Sequence, residues 1–272
     1  MKTKQMNALI PSDKPQTMEG LDLRKTEHAV METEVDTFIA AFKSEAEQLV
    51  RETFPKKMLE IDELFKQLKM WKPSDVDQTM EIPYPEPVDN VGTDTQHNPS
   101  EPHSSGKGRI KGHLTGTRVL VFPGGKVSCN KCVHMYCEKV KPLICGLMEH
   151  ANMVKMWINF LIPKIEDGNN FGVSIQEDVV SEVRCVEHEV STYLDQISVY
   201  YQKRGNIISK ISKYPHIDDY RQLIKEMDEH AMVKLQNAVL EMRNHYASLF
   251  DIIMKNIDKI KMPRSLSSQN MY

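Results

Sequence analysis

Apolar residues recur every three or four positions through most of this chain, and the recurrence divides it into four long helical patterns. The first runs from about Val30 to Trp71, with Val35, Ile39, Phe42, Ala46, Val50 and Phe54 on one face. Spacing of this kind places side chains on a single stripe of an α-helix. Pro55 predicts a kink, because a proline inside a helix removes a hydrogen bond and clashes with the preceding turn. The second pattern runs from about Cys132 to Ile162, with Val140, Ile144, Leu147, Ala151, Val154, Ile158 and Leu161 forming a heptad-like seam. The third starts after Gly172, where Ser174 to Glu177 has the form of a capping box. Its seam continues from Ile175 to Tyr201, and Lys213 to His216 breaks it. The fourth runs from about Asp218 to Lys261, a length of roughly 65 Å as an unbroken helix, and Pro263 closes it.

Long helices joined by short turns predict an all-α, up-down four-helix bundle. The connection between the first two helices differs. From Pro73 to Arg118 no period is sustained, and proline, serine, glycine and histidine dominate, which predicts a mobile linker over residues 73–117. The Arg118 to Val127 stretch predicts a small extended turn. The expected organisation is a flexible extension over 1–28, helix one over 29–72, the linker, helices two to four over 118–261, and a tail over 262–272.

Composition narrows the function. The 272 residues carry a formal net charge of -3, so no basic field argues for nucleic acid. No apolar run approaches the ~20 residues of a membrane span, and none at the amino end resembles a signal peptide. The five cysteines are most simply reduced thiols of an intracellular protein. Cys129, Cys132, His134 and Cys137 have partial zinc-ligand spacing, but the usual second pair is missing, so no metal is expected. Gly168 and Gly172 lack the Gly-Lys-Ser/Thr of a phosphate loop. No nucleophile-and-base set or carboxylate pair recurs on one face, so no enzyme and no cofactor is expected.

Two segments resist a purely structural reading. Pro163 to Gly172 joins helices two and three with far more backbone freedom than a plain turn needs, because Gly168, Asn169, Asn170 and Gly172 all tolerate positive φ. Phe171 adds an apolar side chain with no seam to join. This predicts a shaped contact loop. The carboxyl end, Met271 and Tyr272, follows a polar stretch and suits insertion into an apolar pocket with a cation at its mouth.

These segments carry a resemblance. Phe54 to Lys57, Ile82 to Pro87, Val154 to Trp157, Leu161 to Glu177, Tyr193 to Ser198 and Asn256 to Ile260 resemble the REG (11S) proteasome activators, most closely the gamma form. The resemblance implies a heptameric ring of four-helix subunits, of self or paralogous copies, that caps the alpha ring of the proteasome core particle without ATP. It implies peptide or unfolded protein substrates passing through the pore, and no nucleic-acid or membrane partner. It assigns an activation loop to Ile165, Glu166, Asp167, Gly168, Asn169, Asn170, Phe171, Gly172 and Val173, and a docking tail to Gln269, Asn270, Met271 and Tyr272. The gamma form's basic import run has no counterpart in residues 73–117, and Asn206 stands where that form carries lysine. The implied location is nucleus and/or cytoplasm. Two other classes fit the helical pattern: an adaptor scaffold that activates nothing, and a zinc-stabilised regulatory module.

Overall fold

The structure, a computed structural model, describes residues 18–77, 81–87, 120–166 and 168–264, with side chains from Val30 onward. Its helices are α1 (Met18–Gln48), α2 (Phe54–Leu68), α3 (Pro73–Val76), α4 (Lys131–Asn159), α5 (Phe171–Lys213), α6 (Asp219–Lys255) and α7 (Ile257–Lys261). Two short strands, β1 (Glu86–Pro87) and β2 (Leu120–Val121), pair antiparallel.

Four rods result: α1 with α2, then α4, α5, and α6 with α7. Cross-contacts fix their directions. Phe42 and Phe54 meet Phe160 and His150 of the second rod, so residue numbers rise along one as they fall along the other. Lys155 meets Glu187 and His134 meets Tyr201 across α4 and α5. Tyr193 meets Glu241 across α5 and α6, while Asp62 meets Arg243 across α2 and α6. Rods adjacent around the bundle are antiparallel, while α4 and α6 touch across it as a parallel pair, His150 meeting Tyr246. This is an all-α up-down-up-down bundle.

The predicted seams supply the core. Val140, Ile144, Leu147, Ala151, Val154 and Ile158 of α4 are fully buried, together with Phe54, Ile61, Leu249 and Ile253. Burying each large apolar side chain contributes about 1.5–3 kcal/mol. Trp157 and Tyr246 are the largest side chains inside.

Several sequence expectations are corrected. The first helix starts at Met18, well before Val30, and Pro55 does not simply kink it. Leu49 to Thr53 instead form one π-helical stretch in which the Phe54 N–H donates to the Leu49 carbonyl. A widened turn makes room for the proline ring and its missing donor. The fourth helix is interrupted at Asn256. Residues 73–77 and 81–87, read from sequence as part of a mobile linker, include α3 and β1 and bury Val76 and Ile82. Ile82 packs with Ile211 and Ile224 in a second small core. The remainder of that segment, residues 78–80 and those from 88 on, lies outside the described residues. Val30, Met31, Val35 and Phe38 are exposed on α1.

A buried polar knot holds the end of the bundle where α4 begins. The Asp228 carboxylate accepts from Asn130 Nδ2 at 2.7 Å, Tyr200 Oη at 2.8 Å and Arg204 Nε at 3.2 Å. Asn130 also caps α4, accepting from the N–H groups of Cys132 and Val133, and donates to the Val76 carbonyl at 2.8 Å. Arg204 reaches the Ser128 carbonyl. One carboxylate thereby ties the incoming linker to three helices.

Candidate functional site

The opposite end of the bundle gathers the segments that sequence analysis singled out. Here α4 ends, the chain crosses to α5, and α7 delivers the last described residues. The crossing is exposed from Lys164 to Glu166 and from Gly168 to Phe171. Ile165 is fully exposed and Phe171 is 70% exposed, so two apolar side chains face outward where a folded monomer gives them no partner. Asp167 lies outside the described residues, as does the whole tail from Gln269 to Tyr272. Val173 is half-buried in the first turn of α5.

The glycines have different jobs. Gly168 has φ of +121°, a region that a side chain makes costly. Gly172 is helical and buried, so its freedom of angle is not used. A Cβ built there would lie 2.0 Å from the Pro263 carbonyl oxygen. Gly172 is required because the chain leaving α7 passes directly over it. Asn170 has φ of -102°, so it too is not held in the left-handed region.

The predicted capping box is absent. The α5 helix begins at Phe171, and Ser174 already donates its backbone N–H to the Asn170 carbonyl at 2.9 Å within the first turn. Asn170 occupies the cap position without a side-chain cap bond. Its Oδ1 accepts instead from Arg264 Nη2 at 3.1 Å. The neighbouring Nη1 of Arg264 donates to Glu166 Oε2 at 2.9 Å. One guanidinium thus bridges both sides of the turn.

Beneath the loop, the fully buried Gln176 uses Nε2 to reach the Ile260 carbonyl at 2.7 Å and the Leu161 carbonyl at 3.1 Å. It joins the start of α5 to the ends of α4 and α7. Lys261 also pairs with Glu47 at 2.9 Å, where hydrogen bonds from Lys261 and Arg51 hold that carboxyl below its ordinary range against some desolvation. Sequence reasoning missed Arg264, Gln176 and the packing role of Pro263. Gln176 has a faint one-dimensional signal, a polar residue between Ile175 and Val179. Arg264 has none.

The cysteine segment lies elsewhere. Cys129 is exposed, Cys132 is half-buried and Cys137 is buried. Desolvation pushes the Cys132 and Cys137 thiols up from their ordinary value. His134 Nδ1 engages the Tyr201 hydroxyl at 3.0 Å. Among the described residues no three His, Cys, Asp or Glu side chains converge as ion ligands.

The molecule is thus an all-α bundle that presents an exposed apolar loop beside the root of its carboxyl segment. Residues 126–270 match the family model described as proteasome activator PA28, C-terminal, and residues 30–87 match proteasome activator PA28, N-terminal. The chain belongs to the PA28 family of proteasome activators. It is 44% identical over 243 residues to proteasome activator complex subunit 3 of Homo sapiens, covering 88% of this chain and 94% of that relative. The Gallus gallus protein of the same name matches to the same extent. The crystal structure of the 11S subunit of the Plasmodium falciparum proteasome, PA28, superposes with a TM-score of 0.65 at 25% identity, over 97% of this chain and 100% of that one. The activator PA26 from Trypanosome brucei, solved in complex with the yeast 20S proteasome, shares the fold with a TM-score of 0.52 at 11% identity, over 90% and 100% of the chains. The Homo sapiens and Gallus gallus relatives are by name subunits of a proteasome activator complex. Among the described residues no helix is long and apolar enough to cross a membrane.

Proposed function

We propose that this chain forms a heptameric ring, alone or with paralogous subunits, that docks on the alpha ring of the proteasome core particle and opens its gate without ATP. The observation that carries this reading is the joining of loop and tail root at one end of the bundle, through Gly172 against Pro263 and Arg264 against Glu166 and Asn170. Docking and gating elements held together can act on one surface. Gln269 to Tyr272 are the anchor, with Met271 and Tyr272 entering an apolar pocket and the terminal carboxylate meeting a cation. Ile165 to Val173 are the key, with Ile165 and Phe171 as the exposed apolar contacts.

Lateral surface for a ring is available. A groove of about 870 Å³ between α5 and α6 is lined in part by Val199, Leu223, Met227 and Ala231, and Val199 and Leu223 are exposed in a single subunit. Neighbouring copies would cover it. A ring then gives each tail a high effective concentration for its pocket, so weak anchors bind collectively. The loops need only prefer the open gate, because small preferences add over the copies. The chain itself breaks no bond; hydrolysis belongs to the core particle. The substrates are peptides or unfolded segments passing through the pore, in the nucleus or cytoplasm.

The test removes the anchor and reads two things. Deleting Met271 and Tyr272 should abolish co-sedimentation with purified core particle and return fluorogenic peptide turnover to the uncapped level. A full-length ring that binds the core particle without raising turnover would instead be an adaptor scaffold, and a chain that ignores the core particle would refute the proposal outright.

A further inference from the structure

We propose that Arg264 is a positioning residue that couples the docking tail to the loop, so that seating the tail sets the loop's conformation. The inference rests on the function proposed above and adds the physical link between its two elements. Three successive contacts zip the chain leaving α7 onto the turn between α4 and α5. Gln176 holds the Ile260 carbonyl at 2.7 Å. Gly172 receives the Pro263 carbonyl with no room for a side chain. Arg264 then closes over the loop, donating to Glu166 Oε2 at 2.9 Å and to Asn170 Oδ1 at 3.1 Å.

The geometry suits arginine better than lysine. The planar fork of arginine presents donors at a fixed separation and can span two acceptors at once, which a lysine ammonium on a flexible stem does less well. The two acceptors lie on opposite sides of Gly168, the residue with positive φ. Bridging them staples the base of the turn. By comparison, the loop's own Asn170 Nδ2 reaches the Glu166 carbonyl only at 3.5 Å. The Arg264 side chain is 23% exposed while Glu166 is 65% exposed, so the guanidinium lies down against the loop and leaves the carboxylate at the surface.

A clasp at the surface is weak and therefore adjustable. Contacts of this class shift an equilibrium by about two- to fivefold, too little to decide whether the bundle folds. It is enough to decide which loop arrangement dominates when several copies act together. Arg264 stands immediately before the segment that leads into the tail, so tension or seating there acts on Glu166 and Asn170 without an intermediary. Neither the loop nor the tail needs to sense the other through the helices.

The test uses the full-length assembled chain with Arg264→Ala and Arg264→Lys. Stimulated peptide turnover is titrated against core particle to separate the plateau from the half-saturating concentration, and amide hydrogen exchange is followed over residues 164–174 without core particle. Arg264→Ala should lower the plateau about threefold and speed exchange at the loop amides, with assembly mass and helix content unchanged. Arg264→Lys should recover only part of both. An alanine variant with parental plateau and parental exchange overturns the clasp. So does one that changes the half-saturating concentration alone, which would make Arg264 a docking residue. If the parent chain fails to stimulate the core particle, the proposed function falls, and the exchange measurement still decides whether Arg264 holds the loop.

Discussion

Gly172→Ala adds one methyl group where the chain leaving α7 crosses the start of α5. The new Cβ would stand 2.0 Å from the Pro263 oxygen and 2.6 Å from its carbonyl carbon and Cα, all backbone atoms. Real Cβ atoms essentially never come closer than 3.0 Å, so the Pro263 peptide must retreat by about 1 Å. Overpacking a rigid interior costs about 1–3 kcal/mol. Two features keep that cost from falling on the bundle. Alanine gains up to about 1 kcal/mol over glycine in a helix, and Pro263 lies beyond the last turn of α7, so it can lift away while Ile260 stays buried. The strain is therefore relieved by displacing the tail root, which also draws Arg264 off Glu166 and Asn170. Thermal denaturation should shift by no more than ~2–4 °C. The concentration of core particle needed for half-maximal peptide turnover should rise severalfold, and the plateau should fall. Gly168→Ala is the control, since its methyl meets nothing within 4 Å and its cost is backbone strain at φ of +121°. That variant should dock like the parent and lose plateau only. If Gly172→Ala docks with parental affinity, the close approach of Pro263 does not set where the tail leaves the bundle.

Two further outcomes concern the scaffold. Asp228→Ala removes the acceptor shared by Asn130, Tyr200 and Arg204, leaving a guanidinium that is 6% exposed without its carboxylate. Breaking a buried pair in this way costs about 3–5 kcal/mol, which urea denaturation of the assembled protein would read; a loss below about 1 kcal/mol would show the pair is not rigidly buried. Burial lowers the pKa of His150, assisted by Lys57 against Glu149, and lowers that of His245 against Glu189, Glu241 and Glu182. Their folded-state pKa values lie below the unfolded ones, so the unfolded chain takes up these protons first. The stability they confer is complete above about pH 6.5 and is lost as pH falls through that value toward the folded pKa. Urea midpoints at pH 7.5 and 5.5 should therefore separate, and the separation should shrink in a His150→Gln, His245→Gln double variant; an unchanged separation would assign the effect to other groups.

What could be read along the chain was whatever obeys a local period. The seams from Val140 to Ile158 and from Val179 to Ile197 predict helices because apolar spacing of three and four has one common solution, and their burial follows from the same stripe. The exposed loop was also legible, since Phe171 joins no seam. Boundaries were less so. Pro55 predicted a kink, but whether a helix bends or widens into a π-turn depends on what packs around Leu49 and Val50, both buried. The Ser174 to Glu177 pattern predicted a helix start, yet the helix begins at Phe171, and the Ser174 N–H already donates to the Asn170 carbonyl inside its first turn.

Periodicity, composition and the loop and tail residues were enough to fix an all-α bundle and to direct attention to Ile165–Val173 and to the carboxyl end. They could not show why Gly172 is a glycine, since its reason is a carbonyl 91 positions later in the chain. Nor could they show that Asp228 gathers donors from α4 and α5, or that Arg264 lies over Glu166 and Asn170. Local sequence acts through the backbone of a few neighbouring residues, whereas these contacts join positions brought together only when four antiparallel rods pack. Tertiary structure alone decided that the loop and the tail root form one unit at the same end of the molecule.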